Sequence, residues 1–488
     1  MTPIRPVVLC ILDGIGVAKA GDTNAVSSAK TPYLDSLFKK YPHMELAASG
    51  PAVGLPPETM GNSEVGHITI GAGRVQNQFL RRFALENFGW NRALAKFISD
   101  TKKGGGVVHM VGLASDGKVH SDINDALKIA RIFKHKGLKI IWHFVADGRD
   151  VGPKTAEQFV RKIRRALGKG VEFGSIAGRY YTMDRNNNWE RTQAAFDAIV
   201  GRAKTRKSFT IDGVIQHFYK RGVTDEFIHP VRFVVPPLEP KDGVLFFNYR
   251  ADRARQFLKT LVKHGHKNML CFSQYGEGLD EDCPALLPDL PPPVTLGDIL
   301  TKNGKTQTRL AETEKYNHVT YFFDAERTLS YPGQEKILVP SPKVATFDLA
   351  PEMAAGEITD EFLRNVGKKD VMIVNYANGD MVGHTGNMRQ AIKAVEFLDS
   401  CLAKIVPATI KQGGVILITS DHGNAEKMAD WRGHTWTAHT TNPVPLILVS
   451  ENPLKLEHVK DAGLANIAPT ILKLLGIEPP EGMAEPLV

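Results

Sequence analysis

The chain has 488 residues, 42% of them hydrophobic and 23% charged, ordinary globular usage with ample apolar material for a core. Its length predicts two or three domains. Lys and Arg outnumber Asp and Glu by 61 to 53, a formal charge of +8; no Lys/Arg-rich block with interleaved aromatics accompanies it, which favours a small anionic substrate over nucleic acid.

Short apolar runs recur along the chain, each ending in a polar turn: Val7–Leu12, Val107–Leu113, Ile140–Val145, Val244–Phe247, Val371–Val374, Val415–Ile418 and Val444–Val449. Near-continuous Val/Ile/Leu runs predict strands buried on both faces of a sheet. Helical patterns lie between them, as at Ala156–Leu167 and Met388–Lys404. This alternation predicts an α/β fold with a mostly parallel sheet. The first run ends at Asp13 and reads as a strand, not a signal peptide. No run reaches membrane-spanning length. Cys10, Cys271, Cys283 and Cys401 show no paired spacing, which predicts reduced, buried thiols and a cytoplasmic protein.

Polar residues follow the runs closely: Asp13, Asp116, Asp147, Asn248, Asn375 with Asp380, and Asp421 with His422. Ligands of open α/β sheets bind outside the carboxyl ends of the strands. A single Asp there is ordinarily a turn former, but the repetition, with His and Arg beside it, points to a site. The Pro-rich Cys283–Val294 reads as a linker, and a second break follows Gly71–Arg74. These breaks predict a discontinuous domain, 1–74 with 295–488, and an inserted domain, 75–294, joined by two chain crossings that act as a hinge for a closing cleft.

The strongest cluster of chemistry is C-terminal. Asp380 and His384 stand four apart after a strand, Asp421 and His422 follow another, and His439 sits in Ala-His-Thr-Thr-Asn-Pro. Carboxylate oxygen and neutral imidazole nitrogen suit Mn²⁺, Zn²⁺ or Mg²⁺, and Asp13 can join from the same sheet edge. Taken singly, each has an ordinary alternative: a core histidine, a helix start, a turn. Together they favour metal ligation. The number of donors suits two ions, an arrangement that also suits phosphate chemistry. Ser63, in Gly-Asn-Ser-Glu-Val-Gly-His, is placed to begin a helix, where free N–H groups favour an arriving phosphate. The segment alone favours a helix N-cap serine with no chemistry, the commoner role.

These residues resemble the cofactor-independent phosphoglycerate mutases, metalloenzymes of the alkaline phosphatase superfamily. The resemblance covers essentially the whole chain. It is carried by LDG at Leu12–Gly14, GNSEVGH at Gly61–His67, SDGKVHSD at Ser115–Asp122, DGRDVGPKT at Asp147–Thr155, GRYYTMDR at Gly178–Arg185, NYRADRARQ at Asn248–Gln256, AETEKY at Ala311–Tyr316, NYANGDMVGHTG at Asn375–Gly386, SDHGNAE at Ser420–Glu426 and HTTNPVP at His439–Pro445.

The resemblance implies an alkaline-phosphatase-like metal domain with an inserted α/β substrate domain. It implies interconversion of 3- and 2-phosphoglycerate through phosphoserine at Ser63, without bisphosphoglycerate. One divalent ion would be held by Asp13, Ser63, Asp421 and His422, and another by Asp380, His384 and His439, with Mn²⁺ first and Mg²⁺, Co²⁺ or Zn²⁺ as alternatives. Substrate residues map to His120, Arg149, Asp150, Arg179, Arg185, Arg250 and Arg253, with Lys315 near the phosphate and Asp150 a proton acceptor. Arg250 and Arg253, directly after an apolar run, suit a dianionic substrate independently, since the planar guanidinium matches carboxylate and phosphate. Asp122 departs from the second histidine many members carry there. The expected partner is a small phosphoglycerate, with no nucleic acid or membrane, and the expected state is a monomer. Competing readings are another phosphomutase or a metal-dependent phosphatase of the superfamily, which the arginine-bearing insert disfavours, and a metal-binding nucleic-acid protein, for which no motif is present.

Overall fold

The computed structural model describes residues 3–168, 171–205, 210–452 and 454–488. The chain divides into two units, 1–81 with 291–488 and 82–290, so the breaks fall at Arg81 and Pro291 instead of Arg74 and Thr295. The helix Phe79–Leu85 spans the first of them.

Thirteen strands are described: β1 (Val7–Leu12), β2 (His43–Leu46), β3 (Val107–Ala114), β4 (Lys139–Ala146), β5 (Val171–Gly178), β6 (Val231–Arg232), β7 (Gly243–Phe246), β8 (Met269–Cys271), β9 (Gln307–Glu312), β10 (Gln334–Val339), β11 (Val371–Tyr376), β12 (Val415–Thr419) and β13 (Val444–Ser450). The discontinuous unit forms one sheet in the order β10-β9-β11-β1-β12-β13-β2. The β10/β9, β9/β11, β11/β1 and β1/β12 pairs are parallel, and β12/β13 and β13/β2 are antiparallel. The contiguous unit forms β6-β5-β4-β3-β7-β8, parallel except at β5/β6. The fold is therefore α/β with two mostly parallel sheets.

β1 is central, and its six residues VVLCIL are all buried. Because side chains alternate along a strand, Val7, Leu9 and Ile11 enter one core and Val8, Cys10 and Leu12 the core on the opposite face. A strand covered on both faces needs this unbroken apolar run. The four cysteines are free and buried. The long helix Met388–Lys411 runs past the expected end at Lys404 and through Pro407. Proline removes one backbone hydrogen bond, but Leu402, Ile405, Val406 and Thr409 remain buried along one face, and that packing overrides the local preference. Among the described residues no helix is long and apolar enough to cross a membrane.

The second sheet carries a buried polar ladder across neighbouring strands. Ser175 Oγ is 2.8 Å from His143 Nδ1, His143 Nε2 is 2.8 Å from His109 Nδ1, and Asp242 Oδ2 is 3.4 Å from His109 Nε2. Burial first, and His109 second, hold His143 well below the usual imidazole range. Unfolded, His143 takes up a proton near pH 6.5; folded, it stays neutral. Its contribution to stability is thus complete above that pH and shrinks as pH falls toward the folded value, by about 1.4 kcal/mol per pH unit. Hydrogen exchange at β3 and β4, corrected for intrinsic rates, should show protection falling below about pH 6.5. His143→Gln should flatten that dependence; an equal slope in the variant would assign it elsewhere.

Candidate metal and phosphoryl-transfer site

In the discontinuous unit, four adjacent parallel strands, β9, β11, β1 and β12, deliver polar residues from their carboxyl ends, where backbone leaves the sheet and ligands bind. Asp13 follows β1, Asp380 lies in the helix Asn378–Gly383 after β11, Asp421 and His422 follow β12, and Lys315 lies in the helix Thr313–Asn317 after β9. Close backbone approach sets their spacing. Gly14 has φ +75°, and a Cβ there would stand 2.6 Å from Asp380 Cα, which only glycine avoids.

Ser63 is the first residue of the helix Ser63–Ala72. Capping falls to Asn62, whose side chain accepts from Val65 N at 3.0 Å, so the alternative role of Ser63 as N-cap does not hold. A Cβ at Gly66 would lie 2.7 Å from the Asp421 carbonyl oxygen, which shows how tightly this helix seats on the turn after β12. Ser63 Oγ is 2.7 Å from Lys315 Nζ, 2.9 Å from His422 Nε2 and 3.4 Å from Asp13 Oδ1.

The potential ligands gather as two groups: Asp13, Asp421 and His422, all buried, and Asp380, His384 and His439. In the second, Asp380 Oδ1 is 3.1 Å from both His384 Nε2 and His439 Nε2, which are 3.0 Å from each other. Each histidine has Nδ1 on a main-chain carbonyl: His384 on Thr437 at 2.7 Å, His439 on Gly61 at 2.9 Å and His422 on Gly423 at 3.3 Å. A carbonyl accepts only, so the ring proton sits on Nδ1 and the Nε2 lone pair faces inward, the arrangement metal-ligating histidines use.

Electrostatics make the same demand. Asp13, Asp380 and Asp421 are buried around a single buried ammonium, Lys315, which donates to Asp13 Oδ1 at 2.7 Å and Asp380 Oδ2 at 2.6 Å. One cation cannot balance three carboxylates, and an uncompensated buried ion costs several kcal/mol. Burial first, then Asp421, push Asp13 above the usual carboxylate range against Lys315. Burial opposes the charge on Asp380 also, but Lys315 and His384 hold that carboxyl well below the range. Asp421 Oδ2 is buried without a hydrogen-bond partner; His67 Nδ1 stands 3.3 Å away, nearer to the Ser63 carbonyl at 2.8 Å. An orphaned carboxylate oxygen, inward Nε2 atoms and excess negative charge fit divalent cations.

Behind the ligands stand residues to which sequence reasoning gave no role, although it noted Asn375 at the end of its strand. Asn375 Nδ2 donates to Asp13 Oδ2 at 2.8 Å, Asn424 Nδ2 to Asp380 Oδ1 at 3.0 Å, and His67 lies between Ser63, Asp421 and Asn375. The spacing of His67, one helical turn after Ser63 on the same face, was the available signal.

In the contiguous unit, β3, β4, β5 and β7 carry the remaining residues. His120 Nδ1 is 2.6 Å from Asp150 Oδ2. Buried Arg179 bonds Asp147 Oδ1 at 2.6 Å and Asp150 Oδ1 at 2.9 Å. Arg185 Nη1 is 2.8 Å and Arg250 Nε 3.9 Å from Asp252, and Arg253 donates to the Met183 carbonyl at 3.2 Å. Arg149 instead points to Glu226 at 3.4 Å and is largely exposed. Burial first, then repulsion from Arg185 and Arg179, lower Arg253 from its ordinary value; crowded guanidiniums of this kind favour an anion. Burial, overcoming the Asp150 carboxylate, lowers His120; Asp150 lies below its usual range because its bonds to His120 and Arg179 outweigh burial.

The model of the metalloenzyme superfamily matches residues 5–479. A 2,3-bisphosphoglycerate-independent phosphoglycerate mutase of Methanosarcina acetivorans is 43% identical over 98% of this chain and 97% of its own length, and one of Pseudomonas fluorescens is 44% identical over 99% and 98%. The chain belongs to the family of 2,3-bisphosphoglycerate-independent phosphoglycerate mutases. A solved structure of Leishmania mexicana phosphoglycerate mutase, obtained at low cobalt concentration, superposes with a TM-score of 0.64 at 30% identity and covers 99% of this chain and 98% of that one.

Divalent cations should therefore stabilise the chelator-treated chain. At a hundredfold excess of Mn²⁺ over Kd the gain is about 2.7 kcal/mol, read as a rise in Tm. The effect should weaken as pH falls, because protons compete for the ligand imidazoles, and at His384 sooner than at an ordinary imidazole, since its hydrogen bond to Asp380 raises it. No heat of binding and no Tm shift would mean that the two groups do not hold metal.

Proposed function

We propose that the chain interconverts 3-phosphoglycerate and 2-phosphoglycerate, without bisphosphoglycerate, by passing the phosphoryl group through Ser63. The observation that carries this is Ser63 Oγ, buried at a helix N-terminus beside the ligand group of Asp13, Asp421 and His422, with Lys315 Nζ at 2.7 Å bridging to Asp380 of the second group. The names of the relatives give the substrate.

In this reading Asp13, Asp421 and His422, with Ser63, hold one divalent ion, and Asp380, His384 and His439 the other. Mn²⁺ is the first choice for this mixed oxygen and imidazole set, with Mg²⁺, Co²⁺ or Zn²⁺ as alternatives. Bound there, the ions supply Lewis-acid stabilisation of negative charge on the transferring oxygens. Lys315 lowers the cost of the Ser63 Oγ anion that attacks phosphorus and stabilises it again as leaving group. The free N–H groups of the helix Ser63–Ala72 add fixed positive potential at the phosphoryl oxygens.

The contiguous unit binds the glycerate. Arg149, Arg179, Arg185, Arg250 and Arg253 provide for its carboxylate and phosphate. His120, oriented by Asp150, gives a proton to the glycerate oxygen that departs as Ser63 is phosphorylated and takes one back from the hydroxyl that then attacks phosphoserine. Asp150, expected from the sequence as the proton acceptor, instead acts through His120 in this reading, since its ion pair with Arg179 makes it a weak base by itself. The chain works as a cytoplasmic monomer in this reading.

Ser63→Ala removes the only acceptor proposed, so it should reduce isomerisation by at least about 10³-fold while the variant still takes up metal and keeps its Tm within a few degrees. Substantial turnover by a folded, metal-loaded variant would end the covalent mechanism.

Transfer is also intramolecular overall, because the glycerate that gives up phosphate takes it back. Substrate labelled in both carbon skeleton and phosphate is mixed with unlabelled substrate, and product is weighed at early turnover. Doubly labelled and unlabelled product should dominate; abundant singly labelled product would show exchange of glycerate between the half-reactions.

A further inference from the structure

His67 and Asn375 touch the centre but take no part in the proposed transfer. His67 is fully buried. Its Nδ1 lies 2.8 Å from the Ser63 carbonyl oxygen and 3.3 Å from Asp421 Oδ2. Its Nε2 lies 3.1 Å from Asn375 Nδ2, which donates to Asp13 Oδ2 at 2.8 Å. The carboxylate fixes the amide orientation, since only the nitrogen of Asn375 can face an acceptor at that distance. An amide nitrogen has no lone pair to offer, so His67 Nε2 accepts and Nδ1 carries the ring proton. His67 is thus neutral and in one tautomer. Asn375 Oδ1 is buried without a partner, so this amide acts on the site through its nitrogen alone. The ring of His318, three residues after Lys315, lies 5.5 Å from that of His67 at 55°, and the segment His318–Phe322 is a π-helix, a form frequent at functional sites.

We infer that His67 and Asn375 are positioning residues that fix the Asp13 carboxylate, and with it one of the two ligand groups, relative to Ser63. His67, on the carbonyl of Ser63, holds Asn375 on β11, and Asn375 extends the connection to Asp13 after β1. A purely structural role would need none of this polarity. Two buried polar groups can be exchanged for apolar ones of similar shape at little cost, whereas here the side-chain bonds that lead out of the pair end on a proposed ligand, Asp13, and on the nucleophile's own residue. Groups that orient ligand atoms in this way typically change metal affinity or activity by about 10–100-fold when removed.

The kinetic arm of the test rests on the proposed function; the binding arm does not. The chelator-treated full chain and its His67→Ala, His67→Asn and Asn375→Ala variants are titrated with Mn²⁺ by calorimetry, and the reloaded proteins are assayed with 3-phosphoglycerate. Both alanine variants should weaken one of the two Mn²⁺ equivalents by about 10–100-fold and leave the other as in the parent chain. They should lower kcat and leave KM unchanged. His67→Asn, which keeps a donor near the Nδ1 position, should recover affinity relative to His67→Ala. Should His67→Ala fail to fold, Asn375→Ala gives the same reading with a smaller deletion. Parent-like affinity at both equivalents in folded variants, with only Tm lowered, would overturn the inference and leave the pair as packing. If the parent chain binds both ions yet isomerises nothing, the proposed function fails while the titration still decides this point.

Discussion

Three carboxylates, Asp13, Asp380 and Asp421, are forced together in a buried pocket with one ammonium, Lys315, between them. Left to themselves they repel, and in low dielectric that repulsion is strong. The fold supplies what overcomes it. Four parallel strands aim their carboxyl ends at one point, and Gly14 lets the turn after β1 approach the backbone of Asp380. Packing against two apolar layers holds the strands in that register. The site is an energetic debt of the free chain that becomes an attraction once cations arrive, which is why the surrounding structure is more rigidly specified than catalysis by a single serine would require.

The contiguous unit inverts this charge logic with the same scaffold. Its parallel strands also end in a polar cluster, but guanidiniums predominate there, and Arg253 is destabilised by its own kind. One unit therefore attracts cations and the other an anion, and neither property derives from the modest net charge of the chain. The +8 excess is distributed, whereas the chemistry comes from a few residues at strand ends.

The sequence displayed β1, β3, β4, β7, β11, β12 and β13 because each is an almost unbroken apolar run, and their ends came out within two residues. It concealed β9, QTRLAE, because a strand bearing Arg309 does not look buried. Arg309 is in fact fully buried, with Gln307, Asp324 and the Val319 carbonyl as partners, and those partners are recognisable only after folding. The ligand residues were legible because several chemically matched groups follow strands. His67 was not, and Asn375 was noted at a strand end without a role, since the two become a pair only across the sheet. The sequence set Arg250 and Arg253 apart by their place after an apolar run but did not rank the rest; folding separates buried Arg179, already committed to two carboxylates, from exposed Arg149.

The position of β1 has a consequence for how the chain is made. Its partners, β11 and β12, begin at Val371 and Val415, so at synthesis rates of about 5–20 residues per second the strand waits tens of seconds for them. The contiguous unit emerges in between and has everything it needs to fold first. During that interval VVLCIL is an exposed, uncharged β-forming segment of the kind that aggregates. The burial of β1 is therefore completed only late in synthesis, once β11 and β12 have emerged to flank it.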